Sequence, residues 1–156
     1  MEKCVNLNSR GGFMKRNAIL KLVQWKNSPE RKPMVLRGAR QVGKTWLMKE
    51  FGQNYYDNYV YFNFDEEDEL KSIFETNKNP NRIIELLSMI SDEKIEPEKT
   101  LIIFDEIQRF PKARQAIKYL VEDGRYDYLE TGSLISIKEN VENITLPSEE
   151  RKIRMY

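Results

Sequence analysis

The sequence predicts an α/β domain with a mainly parallel sheet. Three observations carry this. Strand-like and helix-like segments alternate along most of the chain. Thr100 to Phe104 is a continuous apolar run, as in strands covered on both faces in parallel sheets. A glycine-bounded loop, Gly38 to Gly43, follows one apolar strand and opens a helix.

Residues 1–13 lack periodicity, and Gly11-Gly12 predicts a break in any regular element, so this segment reads as a loose tail. From Lys15 to Lys26, Ala18, Ile19, Leu22, Val23 and Trp25 recur at helical spacing, and Asn27-Ser28-Pro29 stops the helix. Met34-Val35-Leu36 is a short buried strand, and Lys44 to Phe51 a helix with Leu47 and Phe51 four apart. Tyr59 to Phe64 is aromatic and β-branched, hence a second strand. Asp65 is placed to cap the next helix, whose inner face holds Leu70, Ile73 and Phe74. The acidic run Asp65 to Glu69 suits a helix N-terminus. Pro80-Asn81 starts a further helix with Ile83, Leu86, Leu87 and Ile90 inward. The third strand, Thr100 to Phe104, ends at Asp105. Pro111 opens the clearest helical period, carrying Ala113, Ala116, Ile117, Leu120 and Val121, and Gly124 ends it. Tyr126 to Thr131 reads as a fourth strand, and Ile153 alternates with Arg154 and Met155 in a fifth. Trp25 and Trp46 are expected in the core or in helix packing.

Composition narrows the chemistry. The 156 residues include no histidine and one cysteine, Cys4. Imidazole acid–base chemistry, Ser-His-Asp or Cys-His nucleophiles, an internal disulfide and a cysteine zinc site are therefore excluded for this chain. What remains is carboxylates, Lys, Arg, hydroxyls, backbone amides, or a bound cofactor or metal held by oxygen. No apolar run approaches the ~18 residues of a membrane span, and no secretory h-region follows the N-terminus. A cytoplasmic location is expected. The formal charge of +1 hides an asymmetry: residues 1–50 hold 12 Lys/Arg against 3 Asp/Glu, and residues 51–110 hold 6 against 14. The basic third could serve nucleic acid or an anionic ligand, but pairing with the acidic part within the fold is the preferred reading.

Gly38-Ala39-Arg40-Gln41-Val42-Gly43-Lys44-Thr45 matches G-x4-G-K-[ST]. The glycines let backbone amides converge on a phosphate, and the helix that begins near Lys44 adds its positive end. Lys44 would reach the β- and γ-phosphates, and Thr45 would offer its hydroxyl to Mg²⁺. Trp46 follows directly and joins Gly38 to Thr45 as a candidate for contact with the nucleotide. Leu101-Ile102-Ile103-Phe104-Asp105-Glu106 is the matching second motif. Its strand delivers Asp105 to the sheet edge where ligands bind, to hold Mg²⁺ through the water shell. Glu106 would polarise the water that attacks the γ-phosphate. If the fourth strand inserts between the first and third, Thr131, before Gly132 and Ser133, falls between Lys44 and Asp105. It would then sense the γ-phosphate or orient water, or else serve as a capping turn. Arg109, Arg114, Arg125 and Arg151 are candidate arginine fingers that also suit ordinary salt bridges.

The segments RGARQVGKTWLMKEF, LIIFDEIQRFPKARQAIKYLVEDGRYDY and ETGSLISIKENV resemble the prokaryotic AAA-type ATPase family that carries a C-terminal domain of unknown function. The similarity runs from about Met14 to Tyr156. It implies a three-layer αβα P-loop NTPase core with five parallel strands in the order 5-1-4-3-2, and it implies ATP and Mg²⁺. By the same resemblance, Gly38 to Thr45 is the Walker A loop, Asp105-Glu106 ends Walker B, and Thr131 to Ser133 is the sensor-1 region. Residues 1–13 are then a flexible N-terminal extension and residues 14–156 the ATPase core. The family's helical lid and C-terminal domain would lie beyond Tyr156. The expected activity is Mg²⁺-dependent hydrolysis of ATP to ADP and phosphate. Alternatives are a nucleotide-dependent switch with little turnover, acting through a protein partner or self-association, and a DNA-associated ATPase. No membrane contact is expected.

Overall fold

The structure, a computed structural model, describes residues 10–29, 33–38, 43–133 and 151–154. Its elements are α1 (Arg10–Lys26), β1 (Met34–Gly38), α2 (Lys44–Tyr55), β2 (Asn58–Asn63), α3 (Glu69–Thr76), α4 (Pro80–Ile90), β3 (Thr100–Asp105), a short 3-10 turn (Ile107–Arg109), α5 (Pro111–Asp123), β4 (Asp127–Ser133) and β5 (Arg151–Arg154). The strands form one five-stranded sheet in the order β2-β3-β4-β1-β5, with every neighbouring pair parallel. This is the expected order 5-1-4-3-2.

Two apolar clusters, one on each face of the sheet, define three layers. Ala18, Leu22 and Trp25 of α1 and Leu47, Met48 and Phe51 of α2 pack on Met34, Leu36, Leu101, Ile103 and Leu129. On the other face, α3, α4 and α5 cover Val60, Phe62, Ile102, Phe104 and Tyr128. Successive residues of β3 thus go to opposite layers, so all six of its residues are buried and the strand is apolar almost throughout. Phe104 is the hub of its layer. Its ring lies 5.8–6.1 Å from those of Phe62, Phe64, Phe74 and Tyr128. Burying a phenyl group of this size contributes roughly 1.5–3 kcal/mol.

Helix boundaries follow local chemistry in two cases. The Asn79 side chain accepts from the amides of Asn81 and Arg82 at 3.0 and 3.3 Å, with Pro80 at the first helical position. Gly124 closes α5 in the left-handed conformation, φ 76°. Inside α2, Gly52 has a packing reason, because a Cβ there would stand 2.7 Å from Tyr59 Cβ on β2.

Several expectations are corrected. Gly11 and Gly12 do not break the chain, and α1 begins at Arg10. They sit in its first turn, where amides lack intrahelical acceptors in any case and glycine costs little more than its propensity, about 1 kcal/mol each. The remainder of the proposed tail, residues 1–9, lies outside the described residues. Asp65 is not a helix cap: α3 starts four residues later, after Asp68, and Asp65 pairs with Arg109 at 2.6 Å. Ile90, expected inward, ends α4 with 37% of its surface exposed, and Trp46, expected in the core or in helix packing, is 52% exposed. Met155 lies outside the described residues. Among the described residues, no helix is long and apolar enough to cross a membrane.

Candidate functional site

β4 inserts between β1 and β3, in the register Leu36↔Thr131 and Phe104↔Glu130. This brings the C-terminal ends of the three strands together, with Gly38, Ser133 and Asp105 at the same edge. That is the edge from which the loop after β1 leads into α2. Gly43 is the residue before α2, at φ 85°, a left-handed conformation that a side chain resists. Its carbonyl accepts the first helical bond, from Leu47 N at 3.0 Å. Lys44 and Thr45 therefore occupy the first turn of α2, where the helix presents its positive end. Lys44 is buried. Ala39, Arg40, Gln41 and Val42 lie outside the described residues.

Asp105 is the centre of the site. Its carboxylate is buried and accepts from three hydroxyls on three different elements. Thr45 Oγ1 of α2 donates to Oδ2 at 2.6 Å across 60 residues of sequence. The Tyr61 hydroxyl of β2 donates to the same oxygen, and Thr131 Oγ1 of β4 donates to Oδ1. Bonds to a carboxylate acceptor are the strong class of hydrogen bond, and together they offset much of the cost of burying it. Burial, followed by the hydrogen bond to Asp105 and its charge, pushes the Tyr61 phenol well above its ordinary range, so it remains a donor.

Glu106 leaves the strand in a left-handed conformation, φ 56°, uncommon for a residue with a side chain. Its amide donates to Thr131 Oγ1 at 3.1 Å, and Gln108 Nε2 donates to its carboxylate. One threonine hydroxyl thus ties Asp105 and Glu106 together. Behind Thr131, on the opposite face of β4, Glu130 forms a fully buried ion pair with Arg114 of α5. Arg125 pairs with Asp123 at 2.6 Å and reaches Asn81 at 2.8 Å. Three of the four candidate finger arginines, counting Arg109, are therefore engaged within the chain. The side chain of Arg151 lies outside what is described.

The oxygen donors suit a small, hard cation such as Mg²⁺. Among the described residues no cluster of three His, Cys, Asp or Glu is placed to hold an ion. A metal at Thr45 and Asp105 would accordingly complete its shell with phosphate oxygens and water, the usual arrangement for Mg²⁺. The predicted Lys44, Thr45, Asp105, Glu106 and Thr131 sit at one sheet edge. Trp46 shares that first helical turn and faces outward. Tyr61 and Gln108 were not foreseen. The only prior sign of Tyr61 is the alternation of Tyr59, Tyr61 and Asn63 along one side of β2.

No curated protein matches the chain. Among solved structures, the Aeropyrum pernix ORC1 protein, determined in complex with DNA, is similar with a TM-score of 0.56 and 15% identity, over 94% of this chain and 46% of that one. The chain thus spans about half the length of that protein. A putative primosome component from Streptococcus pyogenes serotype M3 is similar at 17% identity, over 97% of this chain and 83% of that one, with a TM-score of 0.49. A sequence profile of AAA domains matches residues 30–156, most of the chain and all of the site. The chain belongs to the AAA domain family, whose nucleotide-binding, ATPase-type fold it shares.

Proposed function

We propose that this chain binds ATP with Mg²⁺ and hydrolyses it to ADP and phosphate in the cytoplasm. The observation that best supports this is the 2.6 Å contact between Thr45, at the start of α2, and Asp105, at the end of β3. It joins the two motifs into one oxygen-lined site beside Lys44. In this reading the amides from Gly38 through Ala39, Arg40, Gln41, Val42 and Gly43 would cradle the phosphates, with Trp46 a candidate contact to the nucleotide from the first turn of α2. Lys44 places its ammonium against the β- and γ-phosphate oxygens and stabilises the charge that develops there. Thr45 and Asp105 would hold the metal, which when bound neutralises phosphate charge. Glu106 orients the attacking water and takes up its proton. Gln108 fixes the Glu106 carboxylate, and Thr131 fixes its backbone.

The test is ATP turnover by the wild type, Lys44→Ala and Glu106→Gln. Glu106→Gln should retain ATP while losing about 10²-fold or more in turnover. Lys44→Ala should lose binding as well. Turnover unchanged in both variants would refute the reading. The engagement of Arg109, Arg114 and Arg125 within the chain favours a second reading, a nucleotide-dependent switch with slow turnover that awaits an arginine from a protein partner or second copy. Steady turnover near ~1 s⁻¹ by the chain alone would exclude it. The basic first third also supports action on DNA, which would appear as binding that weakens steeply with salt.

A further inference from the structure

We propose that Tyr61 is a positioning residue for the metal-bearing carboxylate, its hydroxyl holding Asp105 Oδ2 against Thr45. The inference rests on Thr45 and Asp105 as the metal site, and it adds a residue that neither nucleotide motif contains.

The argument starts from register. β2 lies beside β3 with Tyr61↔Ile103 and Asn63↔Asp105. Tyr61 therefore sits two residues short of Asp105 on the neighbouring strand, with its side chain in the same layer, among residues packed against the α1 and α2 cluster. Two residues of parallel strand span about 6.6 Å. A phenol can bridge that gap along the strand, whereas a serine or threonine hydroxyl cannot. The ring is steadied from α2 by Lys49, whose Nζ lies 4.1 Å from its centroid.

The consequence follows from how the carboxylate is held. Thr131 fixes Oδ1 from β4, and Thr45 reaches Oδ2 from α2. Thr45 is also the hydroxyl expected to bind the metal, and Tyr61 is a second donor on Oδ2 that takes no part in metal binding. Tyr61 thus keeps the acid in one orientation through metal binding. Groups that orient a metal's ligands in this way typically account for 10–100-fold in metal affinity.

The experiment measures the affinity of the full 156-residue chain for fluorescently labelled ADP, with Mg²⁺ and with EDTA. The readout is the ratio of the two, which requires no turnover. Tyr61→Phe should lose about 10-fold of the Mg²⁺-dependent gain while its EDTA affinity and melting temperature stay near wild type. Tyr59→Phe, on the same strand and face, should change neither. Lys49→Met, which frees the ring without touching the hydroxyl, should lose about 2–5-fold and keeps the test open should Tyr61→Phe fold poorly. A full Mg²⁺-dependent gain in Tyr61→Phe would overturn the proposal while leaving the metal site standing. An equal loss in Tyr59→Phe would also overturn it, since strand packing and not the hydroxyl would then be responsible. No Mg²⁺-dependent gain in the wild type would overturn the metal site and the proposal together.

Discussion

Thr131→Val isolates the hydroxyl that joins Asp105 to Glu106. Valine has nearly the shape of threonine, so at this fully buried position the change is chiefly the loss of the hydroxyl. Two bonds are lost. The Glu106 amide, 3.1 Å from Thr131 Oγ1, loses its acceptor, which costs about 1–3 kcal/mol. Asp105 loses one of three hydroxyl donors, worth about 1.5–3 kcal/mol for a charged acceptor and nearer the low end here because Thr45 and Tyr61 remain. The terms share partners and do not simply add. The left-handed backbone at Glu106, of order 1–3 kcal/mol in strain, also relaxes once its amide is released and returns part of the loss. The expected destabilisation is about 2–3 kcal/mol. Urea unfolding followed by the fluorescence of buried Trp25 should show a midpoint lowered by roughly 1–2 M at ordinary slopes. Thr131→Ser keeps the hydroxyl and loses one buried methyl group, about 1 kcal/mol, so it should fall between wild type and Thr131→Val. Turnover should follow the hydroxyl: retained in the serine variant and reduced at least 10-fold in the valine variant. Thr131→Val within about 0.5 kcal/mol of wild type, or more stable than Thr131→Ser, would refute the argument.

Gly52→Ala should destabilise by about 1–3 kcal/mol despite the better helix propensity of alanine, because its Cβ would meet Tyr59 Cβ at 2.7 Å and push α2 off β2; a rise in melting temperature would contradict this. Tyr128→Phe keeps the ring stacked on Phe104 and removes a buried hydroxyl with no hydrogen-bond partner among the described residues, so stability at pH 7 should rise by about 1 kcal/mol in denaturant titrations. Burial pushes the Tyr128 phenol up, so above its ordinary pKa near 10 the unfolded chain has released a proton that the folded chain keeps. The stability present below about pH 10 is therefore lost as pH rises beyond it, and Tyr128→Phe should show a shallower alkaline loss than wild type. Arg114→Met leaves the charge of Glu130 in the core and should cost about 3–5 kcal/mol, whereas Arg114→Met with Glu130→Met should recover most of it; a double variant as unstable as the single would show that the ion pair is not the cause.

What was legible in the sequence shares one property: it is decided within a single short segment. The loop from Gly38 to Thr45 and the apolar strand ending in Asp105 each carry their own geometry, so their residues could be named before their meeting was seen. The strand order was different in kind. Periodicity showed that strands and helices alternate, while the order itself came from resemblance, since spacing says nothing about which strands are neighbours. Tyr61 shows why part of the site stayed hidden. Its role depends on the register of β2 against β3, which brings it to Asp105 across 44 residues of chain, and a tyrosine in a strand carries no mark of it. Gly52 is similar, as its need for a missing side chain is set by Tyr59 on another element. Asp65 marks where a local rule fails outright. An acidic residue before a helix suits a cap worth about 1 kcal/mol, but the chain continues past it to Asp68 before α3 begins. Asp65 is then free to meet Arg109, just beyond Glu106 in the 3-10 turn after β3. That pair, half exposed, is itself worth no more than about 1 kcal/mol, so energy alone does not choose between the two fates. The choice belongs to Phe64, whose ring must reach Phe74 and Phe104 in the core and whose amide bonds to the Asp105 carbonyl at 3.0 Å. With Phe64 anchored beside β3, the next residue is set against the turn that follows Asp105 and away from the start of α3, and a buried aromatic worth several times either polar contact decides what its neighbour does.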